Sequence, residues 1–197
     1  ESFEVTGNKS IFHVNKNDKT YLWEPFTKSC DLVYRNERNL YKNLRGSKII
    51  FEEINHDLGI KFSYQWSTCD KYGFIKTSSI KNLSEQNLSL SILDGFQNIL
   101  PWGLDEGIQS STSNLADAYK RNELDLDSKI GIYALSATIV DRAEPSEALK
   151  SNVVFHLGLG SNKVLLSSNQ LDKFRKGHQL REELDIKAER GAYFINS

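Results

Sequence analysis

Two cysteines in 197 residues leave little room for a disulfide framework. Neither Cys30 nor Cys69 stands in a CxxC or Cys/His spacing, so a zinc module is excluded as well. Both read as free core thiols, with a single Cys30–Cys69 disulfide as the alternative, and the compartment stays open. No HxH, HExxH or Asp-rich calcium loop occurs, so no metal site is expected. Gly158 and Gly160 lack the spacing and following helix of a phosphate loop. No cofactor is expected either.

The chain also lacks an apolar run of membrane-spanning length, which excludes a transmembrane helix and gives no expectation of a membrane partner. It lacks a basic excess. The net charge is −1, with lysines and arginines interspersed among acids, so nucleic acid is not an expected partner. No internal repeat, low-complexity tract or linker is visible. One domain spanning residues 1–197 is therefore the expected organisation. The apolar content of 39% and charged content of 26% suit an ordinary folded core.

What is present alternates as β-strands do. Phe3 and Val5, then Ile11, Phe12 and Val14, then Tyr21 and Trp23 mark three short strands, with Asn15–Lys19 as a turn. Leu58, Ile60, Phe62, Tyr64 and Trp66 recur at every second position, the strongest strand signal in the chain. Asn55-His56-Asp57-Gly59 joins that strand to Ile49–Ile54 as a hairpin. Tyr72–Leu83 and Leu88–Leu93, linked by Ser84–Asn87, predict a second hairpin. Ile130–Val140, Ala148–Leu157 and Ala192–Ile195 predict further strands. Helix is confined to Ser110–Asn122 and to Ser168–Lys176, the latter stopped by Gly177. The expected fold is mainly β, a sandwich of antiparallel sheets with one or two short helices.

Carboxylates and aromatics crowd between Leu93 and Phe155. Trp102 follows a proline in a turn. Asp117 and Tyr119 lie on the predicted Ser110–Asn122 helix and Glu123 directly follows it, with Asp117 and Lys120 placed for an i, i+3 surface pair and Tyr119 and Glu123 at i, i+4, able to face a ligand together. Arg142, Glu144 and Glu147 sit in DRAEPSE, beyond a strand. A ring covers the C–H face of a sugar while an acid accepts from its hydroxyls, so these seven residues are candidate ligand or domain contacts. The same groups also suit a self-contained ion-pair network, with Trp102 as a core plug.

Several strings resemble a known family. RNLYKNLRG, FEEINHDLGIKFSYQW, YGFIKTSSIKNL, LDGFQNILPWG, SNLADAYKRNEL, DRAEPSEALKSNVVF and LLSSNQLDKFRKG are similar to the amino-terminal region of large cellobiose-phosphorylase-like proteins. The resemblance runs from about Tyr21 to Phe194 and implies a β-supersandwich of the galactose-mutarotase type. In the family this region precedes a helical toroid that holds the catalytic acid. No series of helical hairpins is present here, so the family's catalytic residues have no matching positions, and catalytic residues are not assigned. The resemblance implies a non-catalytic, carbohydrate-binding or active-site-supporting domain of a glycoside phosphorylase or hydrolase. Its partners would be carbohydrate or a downstream toroid. The alternatives are a free-standing mutarotase or epimerase using His156 with Glu144 or Glu147, and a protein-docking module built around Trp102.

Overall fold

The computed structural model describes residues 4–137, 150–160 and 162–197. Strands make up 49% and helices 12% of the described residues, so the chain is mainly β. The strands are β1 Gly7–Lys16, β2 Lys19–Trp23, β3 Asn36–Lys42, β4 Lys48–Asn55, β5 Ile60–Cys69, β6 Gly73–Asn82, β7 Ser89–Ile99, β8 Lys120–Asp125, β9 Ile130–Leu135, β10 Asn152–Val154, β11 Lys163–Leu165, β12 Asp185–Lys187 and β13 Gly191–Asn196. The helices are α1 Lys28–Asp31, α2 Glu106–Ser111, α3 Ser113–Ala118 and α4 Leu171–Arg175. Among the described residues the strands form three sheets, in the orders β11-β13-β7-β1-β2, β10-β9-β8-β12 and β3-β4-β5-β6. The antiparallel, mainly β class expected of the sequence is what the chain adopts, with four short helices among the described residues in place of one or two.

The chain divides into two compact units, one made of residues up to Ile11 together with Ser91–Ser197, the other of Phe12–Leu90. In the first unit, the period-2 geometry of strands distributes residues to two faces. Val164, Leu166 and Tyr193 point to one side, where they meet Leu124 of β8 and Tyr133 of β9 and form a sheet-on-sheet core. Leu165, Ala192 and Phe194 point to the other, where they bury against Leu93 and against Leu171 and Phe174 of α4. Tyr133 is fully buried and donates its hydroxyl hydrogen to the Ala192 carbonyl at 2.6 Å, so the ring packs without an orphaned polar atom.

The second unit is built on β3-β4-β5-β6. Its core joins Phe12 and Trp23 of the β1–β2 hairpin to Phe62 of β5, with Phe12 and Phe62 edge to face at 5.0 Å. The hairpin turns at Asn17 and Asp18, both at positive φ (51° and 58°), which these short polar side chains tolerate. Leu58, Ile60 and Phe62 are buried as the alternation predicts, while Tyr64 and Trp66 are half-buried towards the far end of the strand.

Four local expectations are corrected. Val5 lies in a turn, and the first strand starts at Gly7. Ser110–Asn122 is not one helix: α2 and α3 occupy its first part, and β8 begins at Lys120. The second hairpin does not form. β6 pairs with β5 and β7 with β13, because the polar, exposed β6 suits a sheet edge whereas Leu93, Gly95 and Gln97 of β7 are buried as in a central strand. Strand structure near His156 is limited to β10, which ends before Phe155. Of Ile130–Val140, β9 accounts for Ile130–Leu135, and residues 138–149 lie outside the described residues.

Candidate functional site

Asp117, the acid of α3, is the predicted site residue around which the first unit builds a cleft. The reason begins with Lys120, the first residue of β8. Its alternation with Asn122 and Leu124 turns it inward, leaving it 1% exposed. A buried ammonium needs partners. Lys120 Nζ donates to Gln109 Oε1 at 2.6 Å and to Asp117 Oδ1 at 2.7 Å, and Arg190 Nε donates to Asp117 Oδ2 at 3.3 Å. The expected Asp117–Lys120 pair therefore exists, but it is a buried anchor rather than a surface pair. Burial pushes the Asp117 carboxyl up, and the hydrogen bonds and charges of Lys120 and Arg190 outweigh it, so the net pKa is lowered.

Asp117 and Arg190 line a cleft of about 300 Å³ with Asn98, Ser168, Asn169 and Glu189. Asn98 is placed there by a β-bulge. In the β7–β13 ladder Gly191 faces Ile99 and Ala192 faces Gln97, leaving Asn98 unopposed at φ 60°. Gly191 permits this close approach, since a Cβ there would stand 2.7 Å from the Ile99 carbonyl oxygen. Ser168 and Asn169 follow β11 in an exposed turn pinned from below by Glu183. Amides, a hydroxyl, a carboxylate and a guanidinium thus converge on a space large enough for a small polar ligand. Asn98, Ser168, Asn169 and Arg190 come from three distant segments, and nothing in their local sequence marks them.

The remaining predicted residues lie elsewhere. Trp102 sits in the turn beyond β7 and is 50% exposed, so it is no core plug, and Lys150 Nζ stands 4.2 Å above its ring. Asn152 pins that turn by donating to the Leu100 carbonyl at 2.8 Å. Tyr119 caps α3, half-buried, and its carbonyl accepts from the Ser136 N–H. Glu123 is on β8, ion-paired with Arg121 at 3.0 Å, so the helical i, i+4 relation to Tyr119 does not arise. Apart from the Tyr119 backbone N–H, which reaches the Ala116 and Asp117 carbonyls at the end of α3, no hydrogen bond, ion pair or ring contact among the described residues joins Trp102, Tyr119 or Glu123 to Asp117. Arg142, Glu144 and Glu147 lie outside the described residues.

His156 is half-buried, its Nδ1 2.8 Å from the Tyr193 hydroxyl and its Nε2 3.3 Å from Asn162 Nδ2; burial lowers its pKa. Cys30 is buried and Cys69 half-buried, both as free thiols. Among the described residues no cluster of three or more His, Cys, Asp or Glu is arranged to hold a metal ion, and no helix is long and apolar enough to cross a membrane. Compared with models of protein families and with curated proteins, the chain matches none.

The Asp117 arrangement has a pH signature. A carboxyl whose folded pKa lies below its unfolded value of about 3.9 stabilises the fold fully above that value. The contribution is lost as pH falls through the folded pKa. Asp117→Asn is expected to lower the melting temperature near neutral pH and to shrink the further loss seen on acidification to about pH 3. Melting curves of both proteins across that range check it, and parallel curves would contradict it.

Proposed function

We propose that this chain is a carbohydrate-binding β domain that supports the active site of a carbohydrate-active enzyme and binds sugar in the Asp117 cleft. The observation that carries the reading is the cleft's lining. A carboxylate already fixed by two cations can accept from sugar hydroxyls without moving, while Asn98, Ser168 and Asn169 offer donors and acceptors of the kind hydroxyls need. Asp117 lies in a stretch whose sequence resembles carbohydrate-active proteins, and the cleft sets the apolar Val5 and Ala188 beside its polar groups, a mixture that suits the hydroxyls and C–H faces of a sugar. The half-exposed Trp102 ring offers a separate contact for a neighbouring protein domain.

Titration of the purified chain with neutral oligosaccharides by calorimetry tests the reading. Saturable binding is expected. Asn169→Ala, a change at an exposed turn, should weaken it roughly tenfold, or about 1.4 kcal/mol, with an unchanged melting temperature. Absence of binding across a panel of neutral hexose and pentose oligomers would overturn it.

A further inference from the structure

The β3-β4-β5-β6 sheet of the second unit carries a second surface of different chemistry. Residues directly opposite one another across antiparallel strands share a face. Lys42 faces Ile49, Ile49 faces Trp66 and Trp66 faces Lys76, so one row across the sheet places an indole between lysines at the two edges. Two residues further along, Leu40, Phe51 and Tyr64 form a parallel row, with the Phe51 and Tyr64 rings stacked 4.9 Å apart. Lys76 Nζ lies 5.9 Å from the Tyr64 ring centre. Leu40 is 65% exposed and Phe74, at the outer end of the same face, 82% exposed, so the margins of the face are open to solvent, while Phe51, Tyr64 and Trp66 between them are half-buried and Phe26 packs edge to face on Tyr64 at 5.4 Å.

Basic residues predominate at this end of the sheet. Asp70 is the single acid in the segments Lys42–Lys48 and Trp66–Lys76, against Lys42, Arg45, Lys48, Lys71 and Lys76. Lys42, Arg45 and Lys48 are exposed and have no acidic partner among the described residues. Exposed rings accept the C–H faces of sugars, and lysines framing them attract carboxylates. The one carboxylate placed on this face near the row, Glu53, is fully buried and already bonded to Trp23, Phe26 and Arg38, so unlike Asp117 it is not presented to a ligand.

We infer that the cation-framed aromatic face of this sheet binds an acidic glycan, a chain of uronic-acid sugars whose rings lie over Trp66 and Phe74 and whose carboxylates pair with Lys42 and Lys76. The inference rests on the carbohydrate reading above and adds a second, anionic specificity at a separate site. Four strands at about 4.8 Å spacing offer a platform spanning more than one sugar ring.

The test compares oligogalacturonate, a neutral cello-oligosaccharide and oligothymidylate as ligands of the whole chain at low and high salt. The expected result is saturable binding of oligogalacturonate that weakens with salt. It should drop at least tenfold in Lys42→Glu/Lys76→Glu and several-fold in Phe74→Ala, while neutral-sugar binding in both variants stays native. Circular dichroism verifies that both variants are folded; if the double variant is not, Phe74→Ala, at an exposed position, decides. Undiminished oligogalacturonate binding in the folded variants overturns the inference, as does tighter binding of oligothymidylate. Loss of neutral-sugar binding in Asn169→Ala with no oligogalacturonate binding by the native chain overturns this inference and leaves the Asp117 reading standing. Absence of neutral-sugar binding by the native chain overturns that reading instead.

Discussion

Replacing Glu183 with alanine should destabilise the first unit by about 3–5 kcal/mol. The side chain is 7% exposed, and its two oxygens accept four hydrogen bonds: from the Leu166 and Ser167 N–H groups at 2.8 Å each, from the Ser167 hydroxyl at 3.1 Å and from Gln170 Nε2 at 2.8 Å. Alanine leaves the two backbone donors and the Gln170 amide facing a cavity, and an unsatisfied buried donor costs more than a made hydrogen bond contributes. The turn after β11 carries Ser168 and Asn169, so the same change should loosen the cleft. Urea unfolding of the two proteins measures the effect. A midpoint within experimental error of the native value would show that this carboxylate is not what holds the turn.

A change of similar size is expected in the second unit from Glu53→Ala. Glu53 lies at the centre of β4, fully buried. It accepts from the Trp23 indole N–H at 3.1 Å, the Phe26 N–H at 2.7 Å and Arg38 Nε at 2.6 Å. Those donors belong to β2, to the segment after it and to β3, so one carboxylate ties the hairpin to the sheet. Phe26 stands at φ 66°, unfavourable for a large side chain, and its bond to Glu53 helps hold that conformation. Breaking a buried pair by removing one partner costs about 3–5 kcal/mol. Trp23 is fully buried beside the lost group, so indole fluorescence in a denaturant titration should show the midpoint move. Glu53→Gln is expected to recover part of the loss, since one oxygen still accepts. Equal midpoints for Glu53→Ala and the native chain would contradict the account of this unit.

The strands that announced themselves in the sequence bury apolar residues on one face. Leu58, Ile60 and Phe62 alternate as large side chains and sit inside, and Gly177, at φ 73°, closes α4 where a glycine stop was expected. The strands that hid are written in polar residues. β3 is a sheet edge, exposed along most of its length, and no burial pattern shapes its sequence. β8 alternates strictly, but its inward residues are Lys120, Asn122 and Leu124. A hydrophobic reading cannot see that period, and the acids and small residues before it look helical. Lys120 is tolerated inside because Asp117 and Gln109 meet it, and Asn122 because its amide donates to the Glu189 carbonyl at 3.2 Å. Those partners are tertiary, so they lie beyond local sequence.

The candidate site divides in the same way. Asp117 was legible as an acid among aromatics. Asn98 reaches the cleft through a bulge set by its pairing with β13, and Ser168, Asn169 and Arg190 arrive from the other end of the chain. Spacing along the chain carries no information about such a meeting, because register and bulge position are settled between strands.

The most direct measurement is an amide chemical-shift titration of the isotopically labelled chain with the neutral oligosaccharide that binds it in calorimetry. The account predicts saturable shifts at Asn98, Asp117, Ser168, Asn169 and Arg190, with the resonances of β3–β6 unmoved. Saturable shifts confined to other residues, or none at ligand excess, would contradict it.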